Sequence, residues 1–305
     1  MPTTTTPMAQ PAGSPAATAA DGATPSVAEF VAHRPPSRLR PYVGSVVGYR
    51  YAGFGAGVHR GLPSRYLTVV VSLDDPLDMT QPGAPARRDR FGELVGGLHS
   101  SPVSIFHDGT QYGVILGLTP LGARALFGMP ASELAEQVVS LDAGLGRAAV
   151  ELTDRLHGAP GWAERFAALD DVLERALRPV RPPRPELVHA LDRLQVTAGT
   201  VGVAALAREV GWSRRHLSEQ FRREYGLTPK VLARVLRFER AQAMVKRPDR
   251  PPLAQVAALC GYADQAHMTH DWVDFAGVSP LTWLAEEQLP FVQDCDDGEP
   301  SSWPA

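Results

Sequence analysis

The sequence predicts a multidomain protein: a β-rich (α+β), barrel-like N-terminal domain followed by an all-α C-terminal domain. Three observations carry this. Short segments rich in Val, Ile and Tyr, separated by Gly or Pro, fill much of the first half and have the character of strands. A proline-dense segment, "RPVRPPRPE" from Arg178 to Glu186, biases its neighbours toward extended backbone and marks a boundary. Beyond Pro185 no strand pattern survives, and apolar residues recur at helical intervals. A chain of 305 residues with an ordinary apolar fraction of 44% has room for two domains, so two modest cores are expected.

Residues 1–26 are rich in Ala, Pro and Thr and have no bulky apolar run, so a disordered tail is expected rather than a signal peptide. Residues 27–140 form the β-rich domain, a sensor or dimerisation unit, with strands at "SVVGYRY", "RYLTVVVSL", "SPVSIF" and "YGVILGL". Residues 141–183 are a helical connector and proline-rich linker, in which Trp162, Phe166, Leu169 and Leu173 make one apolar stripe. Residues 184–290 hold seven helices, at about 186–198, 203–210, 213–225, 229–246, 253–260, 264–275 and 280–289, and 291–305 form an acidic disordered tail. Charges or Pro interrupt every apolar run before it could cross a bilayer, so no membrane partner is expected. Cys260 and Cys295 form no CxxC pair, which fits a reducing cytoplasm.

The helical part contains a repeat. Gly211 and Trp212 answer to Gly261 and Tyr262, and Leu217, Phe221, Gly226 and Pro229 answer to Met268, Trp272, Gly277 and Pro280 after one extra residue in the turn. One supersecondary unit is used twice. In the first copy Gly211 ends a short helix, Ser213 caps the next, and Leu217, Phe221 and Tyr225 face inward at four-residue intervals. That is a helix, a tight turn and a helix, with units over 203–225 and 253–275. The outward face of the second helix carries Arg215, Glu219, Arg222 and Arg223, and suits a DNA major groove. The bland alternative is a solvated surface helix whose arginines pair with Glu219 and Glu224. Turn chemistry and repetition together favour the groove reader. The helix from Pro229 to Lys246 would set two readers apart so that they address successive turns of one DNA face, about 34 Å apart.

Charge is sorted along the chain. Residues 205–250 carry twelve Lys/Arg against five Asp/Glu, whereas 251–305 carry none against nine, so the second copy lacks the cations of the first.

The strings "GWS", "HLSEQF", "YGLTP", "RFERAQAM", "VAALCGY" and "GVSP", with Ala207 and Asp264, resemble the AraC/XylS transcriptional regulators over about residues 184–290. The resemblance implies a seven-helix DNA-binding domain joined to an N-terminal domain that senses a ligand or dimerises. Carried over by position, it puts Arg214, Arg215, Ser218 and Glu219 near bases, with Arg222 nearer the backbone and Ser213 also in the DNA-binding set. In the second unit the matching positions are Gln265, Ala266, His267, Thr269 and His270. Family members carry arginine where His270 stands and basic residues soon after Trp272, where this chain has Val273 and Asp274, so unequal readers are expected. The likeness of the first domain to barrel-like sensor domains rests on no specific motif.

The expected partners are double-stranded promoter or operator DNA and a small-molecule effector, with RNA polymerase and a second copy of the chain also in view; the location is cytoplasmic and nucleoid-associated. Arg60, Arg65, His99 and Tyr112 are the polar anchors a barrel interior would offer an apolar ligand. No catalytic residues, metal site or cofactor are expected: His59, His99 and His107 lack paired-ligand spacing, and no GxSxG or phosphate loop is present. Cys260 is expected to pack. Two rival functions remain, an enzyme or DNA-repair-type fusion with an accessory DNA-binding domain, and a protein-binding adaptor with a degenerate second unit.

Overall fold

The structure, a computed structural model, describes residues 26–287. Both expected tails, Ser26 excepted, and Cys295 lie outside these residues.

Ten strands are present among the described residues: β1 (Val27–Ala32), β2 (Val43–Ala52), β3 (Gly57–Gly61), β4 (Leu67–Ser72), β5 (Leu77–Gln81), β6 (Ala84–Phe91), β7 (Glu93–Gly96), β8 (Val103–His107), β9 (Gln111–Leu118) and β10 (Val138–Ser140). They form two antiparallel sheets, one ordered β1-β2-β9-β4-β7-β10 and one ordered β3-β8-β5-β6. The larger sheet is buried on both faces, which explains the unbroken apolar run of β4. Leu67, Val69 and Val71 point to one core, while Val70 between them points to the other. In β9, Val114, Leu116 and Leu118 alternate with Ile115 in the same way. Tyr49, Tyr51, Val70 and Leu94 of the large sheet meet Leu77, Met79 and Val103 of the small one, which makes the barrel-like interior.

The other face of the large sheet is covered by helices. After α1 (Pro120–Gly122) come a π-helical turn (Ala123–Phe127), a 3-10 turn (Ala131–Leu134), α2 (Asp142–Leu145), α3 (Arg147–Gly158) and α4 (Trp162–Ala176). In α4 the expected stripe does pack: Phe166, Leu169 and Leu173 are buried, and half-buried Trp162 stacks on Phe166.

The C-terminal half is all helix: α5 (Pro185–Val196), α6 (Val203–Glu209), α7 (Arg214–Tyr225), α8 (Pro229–Lys246), α9 (Leu253–Leu259), α10 (Gln265–Ala276) and α11 (Pro280–Glu286). The two cores expected from the sequence are not divided between the halves. One cluster runs from Val69 and Leu116 in the sheet through Leu152 and Leu169 into Leu194, Phe221 and Leu236. A separate cluster around Phe238, Trp272 and Trp283 receives Leu62 from the loop after β3. Short helices such as α6 and α7 cannot bury their apolar stripes alone, and the first domain supplies the missing wall. Leu62 is 2% exposed, and burial of such a side chain contributes roughly 1.5–3 kcal/mol.

Candidate nucleic-acid interface

In the first unit, Gly211 at φ +70° ends α6 in the left-handed region, where a Cβ is disfavoured. Ser213 then caps α7, its hydroxyl accepting from the His216 N–H at 3.2 Å. Leu217, Phe221 and Tyr225 are buried, with the Phe221 and Tyr225 rings edge to face. Burial raises the Tyr225 hydroxyl pKa far above its ordinary range, so it stays protonated. This fixes the rotation of α7 and leaves Arg214, Arg215, Glu219, Arg222 and Arg223 exposed, with Ser218 half-buried.

Among the described residues, no ion pair engages Arg214, Arg215, Arg222 or Arg223. Glu224, which a solvated helix would use to pair with them, is taken from the other side: Arg124 of the π-helical turn donates Nε and Nη2 to its two carboxylate oxygens, both at 2.6 Å. Four guanidinium groups therefore stand exposed on α7 without an ion-pair partner among the described residues, two in its first turn and two in its last.

The second unit repeats the geometry with other chemistry. Gly261 turns at φ +77°, and Asp264 caps α10 by accepting from the His267 N–H at 2.7 Å. Met268, Trp272 and Phe275 are buried. Gln265, Ala266, His267 and His270 are exposed and Thr269 is half-buried, so the positions expected to face a groove share one face. His267 also accepts from the Ala263 N–H at Nδ1, 3.4 Å away, which leaves Nε2 to face outward as a donor in the neutral ring.

The acidic residues of α10 are neutralised from α8. Arg234 donates Nε to Asp271 at 2.9 Å and Nη2 to Asp274 at 2.5 Å, and Arg237 lies 4.0 Å from Asp271. Asp271 is 1% exposed, so its charge would be costly without these guanidinium groups. Nothing in the second unit's sequence signals this countercharge, which sits some forty residues upstream. Cys260 is buried beside Met244, with its thiol pKa pushed up to about 11, as a packing residue should have it.

The two halves meet through matched charge. Besides Arg124 with Glu224, Arg65 donates to Glu239 of α8 at 2.8 Å and Arg60 to Glu286 of α11 at 2.7 Å. His59 donates Nδ1 to Glu287 at 2.7 Å. In all four the cationic or donor group comes from the first domain and the carboxylate from the helical one. Ser132 adds a hydrogen bond to the Arg223 carbonyl at 2.8 Å.

This corrects the expected ligand anchors. A cavity does lie inside the barrel, lined by Tyr49, His59, His99 and Gln111 among apolar residues. Of the four anchors only His99 lines it. Arg60 follows His59 by one residue and so faces away from it, toward α11; Arg65 lies in the loop beyond β3 and turns to α8. Tyr112 shares the face of Val114 and Leu116 and packs edge-on to Trp162. Among the described residues no group of three or more His, Cys, Asp or Glu could hold a metal ion, and no helix is long and apolar enough to cross a membrane.

Two helix–turn–helix units joined by one long helix, each with a solvent-facing second helix, define a DNA-binding module. Residues 206–286 match the family model described as "Helix-turn-helix domain". Among solved structures the chain is similar to ToxT from Vibrio cholerae O395, at 11% identity over 79% of this chain and 97% of that one, with a TM-score of 0.48. A transcriptional regulator from Chromobacterium violaceum, with an AraC-type DNA-binding domain, is similar at 22% identity over 35% and 96%, TM-score 0.31. The C-terminal domain of AraT, a response regulator from Geobacillus stearothermophilus, is similar at 19% identity over 39% and 98%, TM-score 0.33. A comparison with curated proteins finds no match.

Proposed function

We propose that this chain is a sequence-specific transcription regulator that lays α7 and α10 into successive major-groove segments of promoter DNA and responds to a small molecule through its β-rich domain. The observation that carries this is the set of exposed α7 arginines without an ion-pair partner among the described residues. In this reading 27–140 is the sensing or dimerising domain, 141–183 the connector and 184–290 the reader. Arg214 and Arg215 reach guanine edges or phosphates, Ser218 and Glu219 meet other base groups, and Arg222 and Ser213 hold the backbone. Gln265 pairs with adenine, Ala266 packs on a thymine methyl, and His267, Thr269 and His270 offer single hydrogen bonds. Affinity is concentrated in the first unit, while the second adds position and sequence. A homodimer and a contact with RNA polymerase belong to the same proposal.

The test is a gel shift on the protein's own promoter region with Arg215→Ala and His270→Ala at two or more salt concentrations. Arg215→Ala should lose about 1–3 kcal/mol of binding and lower the salt slope by about one unit if it contacts phosphate, with His270→Ala losing less. Binding that responds neither to salt nor to either substitution would end this reading.

A further inference from the structure

The barrel cavity has chemistry that narrows what it can hold. No lysine or arginine lines it; its polar groups are the side chains of Tyr49, His59, Thr68, His99 and Gln111, set among Val70, Met79, Val103 and other apolar walls. His99 places its Nδ1 2.6 Å from the Ser101 carbonyl oxygen. A carbonyl only accepts, so Nδ1 carries the proton. Burial disfavours the charged ring and lowers the His99 pKa, which leaves Nε2 as a bare acceptor. Tyr49 is 3% exposed, and burial raises its hydroxyl pKa, so the group stays protonated. An anion brought here would meet the His99 lone pair and no lysine or arginine, while a neutral molecule with an O–H or N–H would find an acceptor.

Size narrows it further. The cavity is about 70 Å³, roughly half the ~150 Å³ of a buried apolar cavity that takes benzene. A single-ring occupant must therefore move a wall. Strand β3 is a wall with one free side: it is an edge strand, paired with β8 alone. It also carries His59, which lines the cavity and donates to Glu287, and Arg60, whose backbone N–H lies 3.4 Å from the same carboxylate. Glu287 immediately follows α11, whose Trp283 packs edge-on to Trp272 of the second recognition helix.

We propose that the cavity takes a small neutral molecule with an apolar body and one hydrogen-bond donor, the chemistry of a phenol, and that its occupancy reaches the second reader through β3, the His59–Glu287 bond and α11. This rests on the small-molecule response proposed above and adds the class of effector and the route.

The test uses the full-length protein and three probes of similar size: phenol, toluene and benzoate. In calorimetry without DNA, phenol should bind at least ~10-fold more tightly than toluene, the value of one net hydrogen bond to a buried acceptor, and benzoate should give no binding. His99→Leu should erase the preference for phenol while toluene still binds, which shows that the cavity remains folded. In gel shifts, phenol should change wild-type DNA affinity, and Glu287→Ala should abolish that change while phenol binding persists. Benzoate binding as well as phenol, a preference that survives His99→Leu, or no heat from any probe would overturn the effector class. A phenol effect on DNA that is unaltered in Glu287→Ala would overturn the route. DNA binding without phenol is read in the same gels, so loss of the effector proposal is distinct from loss of the regulator reading.

Discussion

Arg124 and Glu224, one hundred residues apart, join the β-rich domain to the last turn of the first recognition helix by two hydrogen bonds of 2.6 Å. The pair lies on the inner side of α7, with side chains 24% and 12% exposed, and it withholds from Arg222 and Arg223 the carboxylate nearest to them in sequence.

Arg124→Ala should therefore weaken both the fold and DNA binding. Leaving Glu224 half-buried without its guanidinium partner should cost on the order of 1–3 kcal/mol, seen as a lower urea midpoint. The variant Arg124→Ala/Glu224→Gln should recover part of that stability and most of the DNA affinity, because the stray charge is gone. Equal losses in the single and double variants would remove Glu224 from the account.

Arg234 makes a parallel case in the second unit. It touches Asp271 and Asp274 on α10 from α8. Arg234→Met should destabilise by roughly 3–5 kcal/mol, the cost of orphaning a buried charge, and Asp271→Asn in the same chain should restore much of it. Chemical denaturation of the three proteins gives the answer, and an additive double variant would contradict it.

The turn glycines should differ in what they tolerate. Gly211 needs a positive φ but has open space where a Cβ would go, so Gly211→Ala should cost only about 1–2 kcal/mol, the conformational penalty. At Gly261 a Cβ would come within 2.7 Å of the Thr200 methyl, so Gly261→Ala should cost more unless Thr200→Ser accompanies it. Thermal or urea melts of the three variants rank these effects directly.

Acid should destabilise the β-rich domain. Burial lowers the pKa values of His99 and His107 in the folded protein below the ordinary imidazole value of about 6.5. Between the folded and ordinary values the unfolded chain binds more protons, so the stability of the neutral rings is complete above about 6.5 and is lost as pH falls below it. The urea midpoint should drop between about pH 7.5 and pH 5.5, and His99→Leu should make the drop smaller. An unchanged slope in that variant would assign the effect elsewhere.

The helical half was legible because its signals are local. Ser213, Thr228, Asp264 and Ser279 all cap the helices they precede in sequence, and the turn glycines stand where the left-handed backbone requires them. In the β-rich half the signals are shared between distant residues. Strand β6, "APARRDRF", is a charged edge without an apolar face, and β10 has only three residues, so neither shows a period. Most of the cavity's polar lining was missed for a related reason: whether His59 or Arg60 turns inward depends on the pairing of β3 with β8, and on carboxylates more than two hundred residues away. Arg60 and Arg65 were expected as ligand anchors, but their partners are Glu286 and Glu239 of the protein itself. On the outward helices, the exposure of Arg215 followed from helical spacing and that of His270 from the family resemblance, while the relief of Asp271 by Arg234 needed the tertiary structure.

The four glutamates held by the first domain carry one further consequence. Cutting the chain at the proline-rich linker would leave Glu224, Glu239, Glu286 and Glu287 without their partners, so the β-rich domain also serves the helical one as a covalently attached set of countercharges. A different N-terminal domain grafted onto these helices would have to bring three guanidinium groups and an imidazole to the same four places. Without them the chimera would keep the two outward helices and lose the charge pairing beneath them.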